Sequence, residues 1–180
     1  MRLFLAIDIP HEDRDVLNGY QGRMTGGRLV PPDQFHITLA FLGANVAPQD
    51  AEAIDSELAT TELKATVIRL EGIGHFGHDG PSSIWVGVSP AKALQPLHAK
   101  IARLAREAGV NLPRRRFVPH VTLARYGHGD ATGLADLTNL LAGASPLHRP
   151  EFRPTALHLK QSHLSSSGPD YQTLASYPLH

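Results

Sequence analysis

The chain has 180 residues, 42% hydrophobic and 19% charged, enough to build a core, which excludes a disordered polyelectrolyte. Seventeen basic and seventeen acidic residues cancel at neutral pH, so a global polyanion-binding field is excluded and any anion site must be local. There is no cysteine, which excludes disulfides, thiolate nucleophiles and zinc–thiolate centres.

Residues 2–9 alternate, with Leu3, Leu5, Ile7 and Ile9 on one face and Phe4, Ala6 and Asp8 on the other, and they predict a half-buried strand. A helix is expected from His11 to Met24, with Val16, Leu17 and Tyr20 inward, and Thr25–Asp33 is expected to be a loop. Residues 34–42 predict a strand closed by Gly43, and Pro48 opens a helix carrying Ala51, Ile54 and Leu58. Lys64–Ile73 and Ser83–Val88 predict two strands around a glycine-rich loop at 74–81. A helix is expected from Pro90, with Leu94, Leu97, Ile101, Leu104 and Ala108 as its stripe, Ser89 as its cap and Gly109 at its end. Residues 117–126 predict a strand, Asp130–Leu141 a helix with Leu134, Leu137 and Leu141 in register, and Thr155–His163 and Tyr171–Leu179 two closing strands.

No apolar run reaches the ~18–20 residues of a membrane span, and the opening segment reads as a strand, not a signal peptide. A cytoplasmic protein is therefore the expectation. Several strands are joined by short turns, so the class is α+β with mainly antiparallel pairing and outer helices. The element pattern of the second half echoes the first. A single domain spanning residues 1–180 and built by internal duplication is expected.

A short self-match supports the duplication. The segment His36-Ile-Thr-Leu-Ala-Phe-Leu-Gly43 aligns with His120-Val-Thr-Leu-Ala-Arg-Tyr-Gly127, 84 residues later, with five of eight positions identical. On a strand, residues i and i+2 share a face. His36 and Thr38 therefore point one way, and Ile37, Leu39 and Phe41 the other. His120 and Thr122 likewise oppose Val121 and Leu123. Brought together by a pseudo-two-fold axis, these strands would set two imidazoles and two hydroxyls around one point. That set suits in-line attack on a phosphodiester. An imidazole with a pKa of about 6.5 serves as acid or base at neutral pH. Threonine hydroxyls can hold the non-bridging oxygens.

The paired His-x-Thr motifs at 36–39 and 120–123 resemble those of the two-histidine (2H) phosphoesterases. The chain looks most like the RNA 2′,3′-cyclic phosphodiesterases, also called 2′-5′ RNA ligases. The similarity extends to Arg2–Ile9, Ser83–Val88, Phe117–Arg125 and Gly168–Leu179. One departure lies before the first motif, where the family often carries tryptophan and this chain has Arg28-Leu29-Val30. The resemblance implies a bilobed fold with the cleft between two pseudo-symmetric lobes, and neither metal nor nucleotide cofactor. It implies opening of a terminal 2′,3′-cyclic phosphate to a 2′-phosphate, with His36 as proton donor to the 3′-oxygen and His120 as base for water. Thr38 and Thr122 would hold the phosphate. The reverse direction would give 2′-5′ ligation. The implied partner is an RNA 3′ end, tRNA-like or short, with a monomeric enzyme and no membrane or protein partner.

Supporting residues are weaker signals. Arg125 has the opposite parity to His120 and would reach the cleft rim from the strand end. Tyr171 and Phe4 could stack on a base. Arg114, Arg115 and Arg116 form the densest basic run and could meet an RNA backbone. His75, His78 and Asp79 lack the frame of a metal site. Competing expectations are a small cyclic nucleotide, an ADP-ribose cyclic phosphate or a 2′-5′ oligonucleotide as substrate, a non-catalytic RNA-end-binding protein, and a metal hydrolase.

Overall fold

The computed structural model describes residues 1–112, 116–142, 147–165 and 168–180. In chain order the elements are β1 (Leu3–Asp8), α1 (His11–Gln21), β2 (Arg28–Leu29), a 3-10 turn (Pro32–Gln34), β3 (His36–Gly43), α2 (Pro48–Thr60), β4 (Arg69–Phe76), β5 (Ser83–Ser89), α3 (Gln95–Glu107), β6 (His120–Arg125), α4 (Thr132–Ala142), β7 (Ala156–Ser165) and β8 (Gly168–Pro178). The strands form one eight-stranded sheet in the order β4-β5-β6-β3-β1-β7-β8, with β2 also on β6. All these strand pairs are antiparallel. The fold is α+β, as the sequence implies.

Two halves meet where β3 pairs with β6, through Ile37 opposite Val121. On one side β1 flanks β3; on the other β5 flanks β6. Each half runs strand, helix, motif strand, helix (β1-α1-β3-α2 and β5-α3-β6-α4). Ile37, Leu39, Val121 and Leu123 are buried, because the helices pack over that face. Helix α3 supplies Leu97, Ile101, Leu104 and Ala105, a stripe at helical spacing. The opposite face, bearing the histidines and threonines, is left open.

Several expectations needed correction. The loop at 25–33 contains the two-residue strand β2, too short to show a period. The strand expected at Lys64–Ile73 starts at Arg69 and runs on through Gly74 to Phe76, within the segment read as a loop. Gly74 there lies against the Trp85 ring, where an added Cβ would come within 2.3 Å of it, so the glycine marks close packing, not a turn. Helix α3 starts at Gln95 with Pro96 in its first turn, and Ser89 ends β5 and caps nothing. In α4, Leu134 and Leu141 are outward at 63% and 62% exposure, while Leu137 and Leu140 pack inward. The cause is Asp136, wholly buried, which anchors the helix through bonds donated by Thr25 N, Thr25 Oγ1, Gly26 N and Tyr126 Oη.

Candidate active site

The site is built on the β3–β6 seam. With Ile37 opposite Val121, antiparallel geometry sets Thr38 across from His120 and His36 across from Thr122. The two motifs thus form a diagonal square on the open face.

Each motif strand then does something the periodicity hides. Against β1, Leu5 pairs with Ala40 but Ala6 pairs with Thr38, so Leu39 is an extra residue. Against β5, Ile84 pairs with Ala124 but Trp85 pairs with Thr122, so Leu123 is the equivalent extra residue. These are β-bulges at matching positions of the repeat. A bulge reverses the alternation beyond it. Leu39 and Ala40 are buried in succession, as are Leu123 and Ala124. Phe41, expected on the core face, therefore turns into the cleft and stands 37% exposed. Arg125 turns in at the corresponding place in β6. The carbonyl of each extra residue accepts from a helix side chain. His98 Nδ1–H of α3 donates to Leu39 O at 2.7 Å, and Gln21 Nε2–H of α1 donates to Leu123 O at 2.8 Å and to Val30 O at 2.7 Å.

A cleft of about 550 Å³ is lined by His36, Thr38, His120, Arg125, Phe4 and Tyr171, together with Arg2, Arg28 and Phe41. The structure thus brings together every sequence-expected site residue except Thr122. That threonine shares the face with His120, but its register partner is Trp85, whose indole packs on His120 at 5.6 Å, and it is not in the cleft wall. Arg116 lines an adjoining groove, whereas Arg114 and Arg115 lie outside the described residues. His78 and Asp79 form an exposed pair at 3.0 Å, and no cluster of three metal-ligating side chains occurs among the described residues.

Both imidazoles are fixed in the same way. His36 Nδ1–H donates to Gln34 O and His120 Nδ1–H donates to Val118 O, each at 2.7 Å. A carbonyl only accepts, so each neutral ring holds its proton on Nδ1 and its lone pair on Nε2. Thr38 Oγ1–H donates to His36 Nε2 at 3.1 Å. Burial pulls the His36 pKa down to about 4, with the charges of Lys160 and Arg125 adding to the effect against the raising influence of Gln34 O and Asp8. Burial and Arg125 also lower that of His120, with Val118 O opposing them. At pH 7 both rings are neutral.

Each ring also sits against two aromatics. Phe4 and Tyr171 lie 5.1 and 5.2 Å from His36. Phe76 and Trp85 lie 4.9 and 5.6 Å from His120. Phe4 and Tyr171 are expected from the sequence only as a stacking surface for a base, not as neighbours of His36. The position of Trp85 in its strand was visible, but Phe76 was hidden by the glycines around it.

Two neutral bases in a cleft that, among the described residues, carries three arginines and no carboxylate can bind a phosphate and move protons on either side of it. An antiparallel sheet with paired His-x-Thr strands at its seam defines a two-histidine phosphoesterase. The chain belongs to the 2′-5′ RNA ligase superfamily, whose family model matches residues 17–164. A protein of Aeropyrum pernix named RNA 2′,3′-cyclic phosphodiesterase is 35% identical, over 82% of this chain and 83% of its own. A protein of the same name from Geobacillus stearothermophilus is 28% identical over 98% of this chain, which spans 56% of that longer relative. The crystal structure of E. coli LigT complexed with 3′-AMP superposes with a TM-score of 0.80 at 25% identity, covering 99% of this chain and 97% of that one. The crystal structure of TT0787 of Thermus thermophilus gives 0.75 at 30% identity, covering 99% and 98%.

Proposed function

We propose that this protein hydrolyses the terminal 2′,3′-cyclic phosphate of RNA to a 2′-phosphate by metal-independent two-histidine acid–base catalysis. His120 Nε2 takes a proton from water as its oxygen bonds to phosphorus. The bond from phosphorus to the 3′-oxygen breaks, and His36 Nε2–H gives that oxygen its proton. Thr38 holds a non-bridging oxygen, the cationic cleft neutralises its charge, and Thr122 stands beside His120 outside the cleft wall. Phe4 and Tyr171 offer the terminal nucleoside an aromatic wall. The entering phosphate anion raises the depressed imidazole pKa values, so that one ring is protonated only when substrate is present. With a ribose 5′-hydroxyl in place of water, the same steps form a 2′-5′ linkage and free the 3′-hydroxyl. The reading treats the chain as one bilobed, duplicated domain, acting as a cytoplasmic monomer on RNA 3′ ends.

The observation that carries it is the matched pair of imidazoles, each with Nδ1 held by a carbonyl and the lone pair on Nε2, in one cationic cleft. The relatives' names support the choice of substrate. The test is turnover of a short RNA ending in a 2′,3′-cyclic phosphate with EDTA present. Wild type is expected to give a 2′-phosphate, and His36→Ala and His120→Ala each to lose about 10²–10⁴-fold in rate. A 3′-phosphate product, or activity abolished by EDTA, would sink the reading.

A further inference from the structure

We propose that Arg28 and Arg125 form a second phosphate site, which receives the phosphodiester on the 5′ side of the terminal nucleotide and selects an RNA chain over a lone nucleoside cyclic phosphate. The proposal rests on the reading of the histidine pair given above and extends it to the substrate's next charge.

Arg28 of β2 is the direct cross-strand partner of Arg125 of β6. Side chains so placed stand ~5 Å apart at Cβ, and like charges there destabilise the pair. Among the described residues neither guanidinium has a carboxylate within ion-pair distance, whereas Arg69, Arg103 and Arg149 each have one. The repulsion is nonetheless held in place from both ends. Upstream, Asp136 accepts from Thr25 N and Gly26 N. Downstream, Val30 N donates to Leu123 O at 2.8 Å, and Val30 O accepts from Gln21. A two-residue strand pinned at each end, bearing an uncompensated arginine opposite another arginine, is a local cost that an anion would repay.

The space fits. Arg28 and Arg125 line the main cleft and also a recess of about 60 Å³ beside it. Tyr171, Pro169 and Gly168 are common to both cavities, and among the described residues no carboxylate lines either one. Gly168 lies under the Arg28 side chain, where an added Cβ would come within 3.5 Å of Arg28 Cδ. The wall therefore runs from the histidines to the arginine pair and then to the recess. A single strand bound with its cyclic phosphate at the histidines would lay its next phosphate at the arginines. Each guanidinium can fork onto phosphate oxygens.

The test compares a nucleoside 2′,3′-cyclic phosphate having a free 5′-hydroxyl with the same compound bearing a 5′-phosphate, which supplies the second charge without a second base. Wild type is expected to favour the 5′-phosphorylated substrate by about 10–100-fold in kcat/KM, the range for charge-assisted hydrogen bonds. Arg28→Gln should bring that ratio to within about threefold of unity, and Arg28→Lys should fall between, as a point charge replacing a fork. Equal turnover of both substrates by wild type overturns the second site and leaves the histidine reading intact. An unchanged ratio in Arg28→Gln overturns it as well, and so does a proportional loss on both substrates, which would place Arg28 at the reacting phosphate. Calorimetry with a nucleoside 2′-phosphate and a 2′,5′-bisphosphate measures the same ratio without catalysis. If neither cyclic substrate turns over, that titration still decides the second site while the histidine reading falls.

Discussion

At the residue scale, the chemistry depends on two imidazoles whose pKa values are both depressed. A bell-shaped kcat/KM profile needs one ring neutral and one protonated, and its limbs report the pair, not either ring. With His36 at about 4 and His120 also lowered, the kcat/KM maximum is expected on the acid side of pH 6.5. The kcat maximum should lie higher, since bound phosphate favours the imidazolium. Rate measurements from pH 4 to 9 check both, and coincident optima would contradict the role given to the anion. The same shifts act on stability. A folded-state pKa below the unfolded value means the unfolded chain binds more protons, so the stabilisation is complete above pH 6.5 and is lost as pH falls toward 4. Denaturant melts should show that slope, and His36→Gln should flatten it. Thr38→Ala should slow turnover by less than either histidine change, because it removes one hydrogen bond and no proton carrier. The histidines and threonines were legible because the motif repeats, and a repeat is a signal that no single His-x-Thr can give. Phe76 carried no such mark: its contact with His120 depends on Gly74 being strand, which only the packing of Trp85 decides.

At the scale of elements, the twin bulges decide what enters the cleft. Strict alternation sends Phe41 to the core and strands Arg125 at the rim; one extra residue in each strand reverses both. Nothing local in Leu39 or Leu123 announces this, because the bulge is set by the flanking strand and by a helix that caps its carbonyl. Gln21→Leu keeps the apolar volume and removes both bonds. It should cost about 1–2 kcal/mol of stability, since Val30 O loses its partner while Leu123 O keeps the bond from Val30 N, and lower kcat/KM by disturbing Arg125. If melts show the stability loss while kcat/KM is unchanged, the cap serves only the fold. Gly74→Ala tests the other half, since its Cβ would displace the indole that packs on His120. Activity should fall while β3 and its histidine stay in place.

At the scale of the molecule, the order of strands and helices was readable because each element carries its own period, and element ends were not, since neighbours set them. Helix α4 shows the limit: its leucines are all at helical spacing, but a buried carboxylate chose which of them face in. Asp136→Ala should cost about 3 kcal/mol, because it strips a partner from Tyr126 and from the backbone at Thr25 and Gly26. Calorimetric unfolding would read this, and a neutral change would show that the cluster is dispensable. The seam has a consequence of its own. Every other neighbour in the sheet is laced by a longer ladder or lies at an edge, while β3 and β6 register through Ile37 and Val121 directly under the acid and the base. The shortest joint in the sheet thus spans the reacting pair, and its breathing would separate donor from acceptor without unfolding either half. Amide exchange at these two residues would then slow when a phosphate bridges the gap above them, making the closed joint a property of the bound complex.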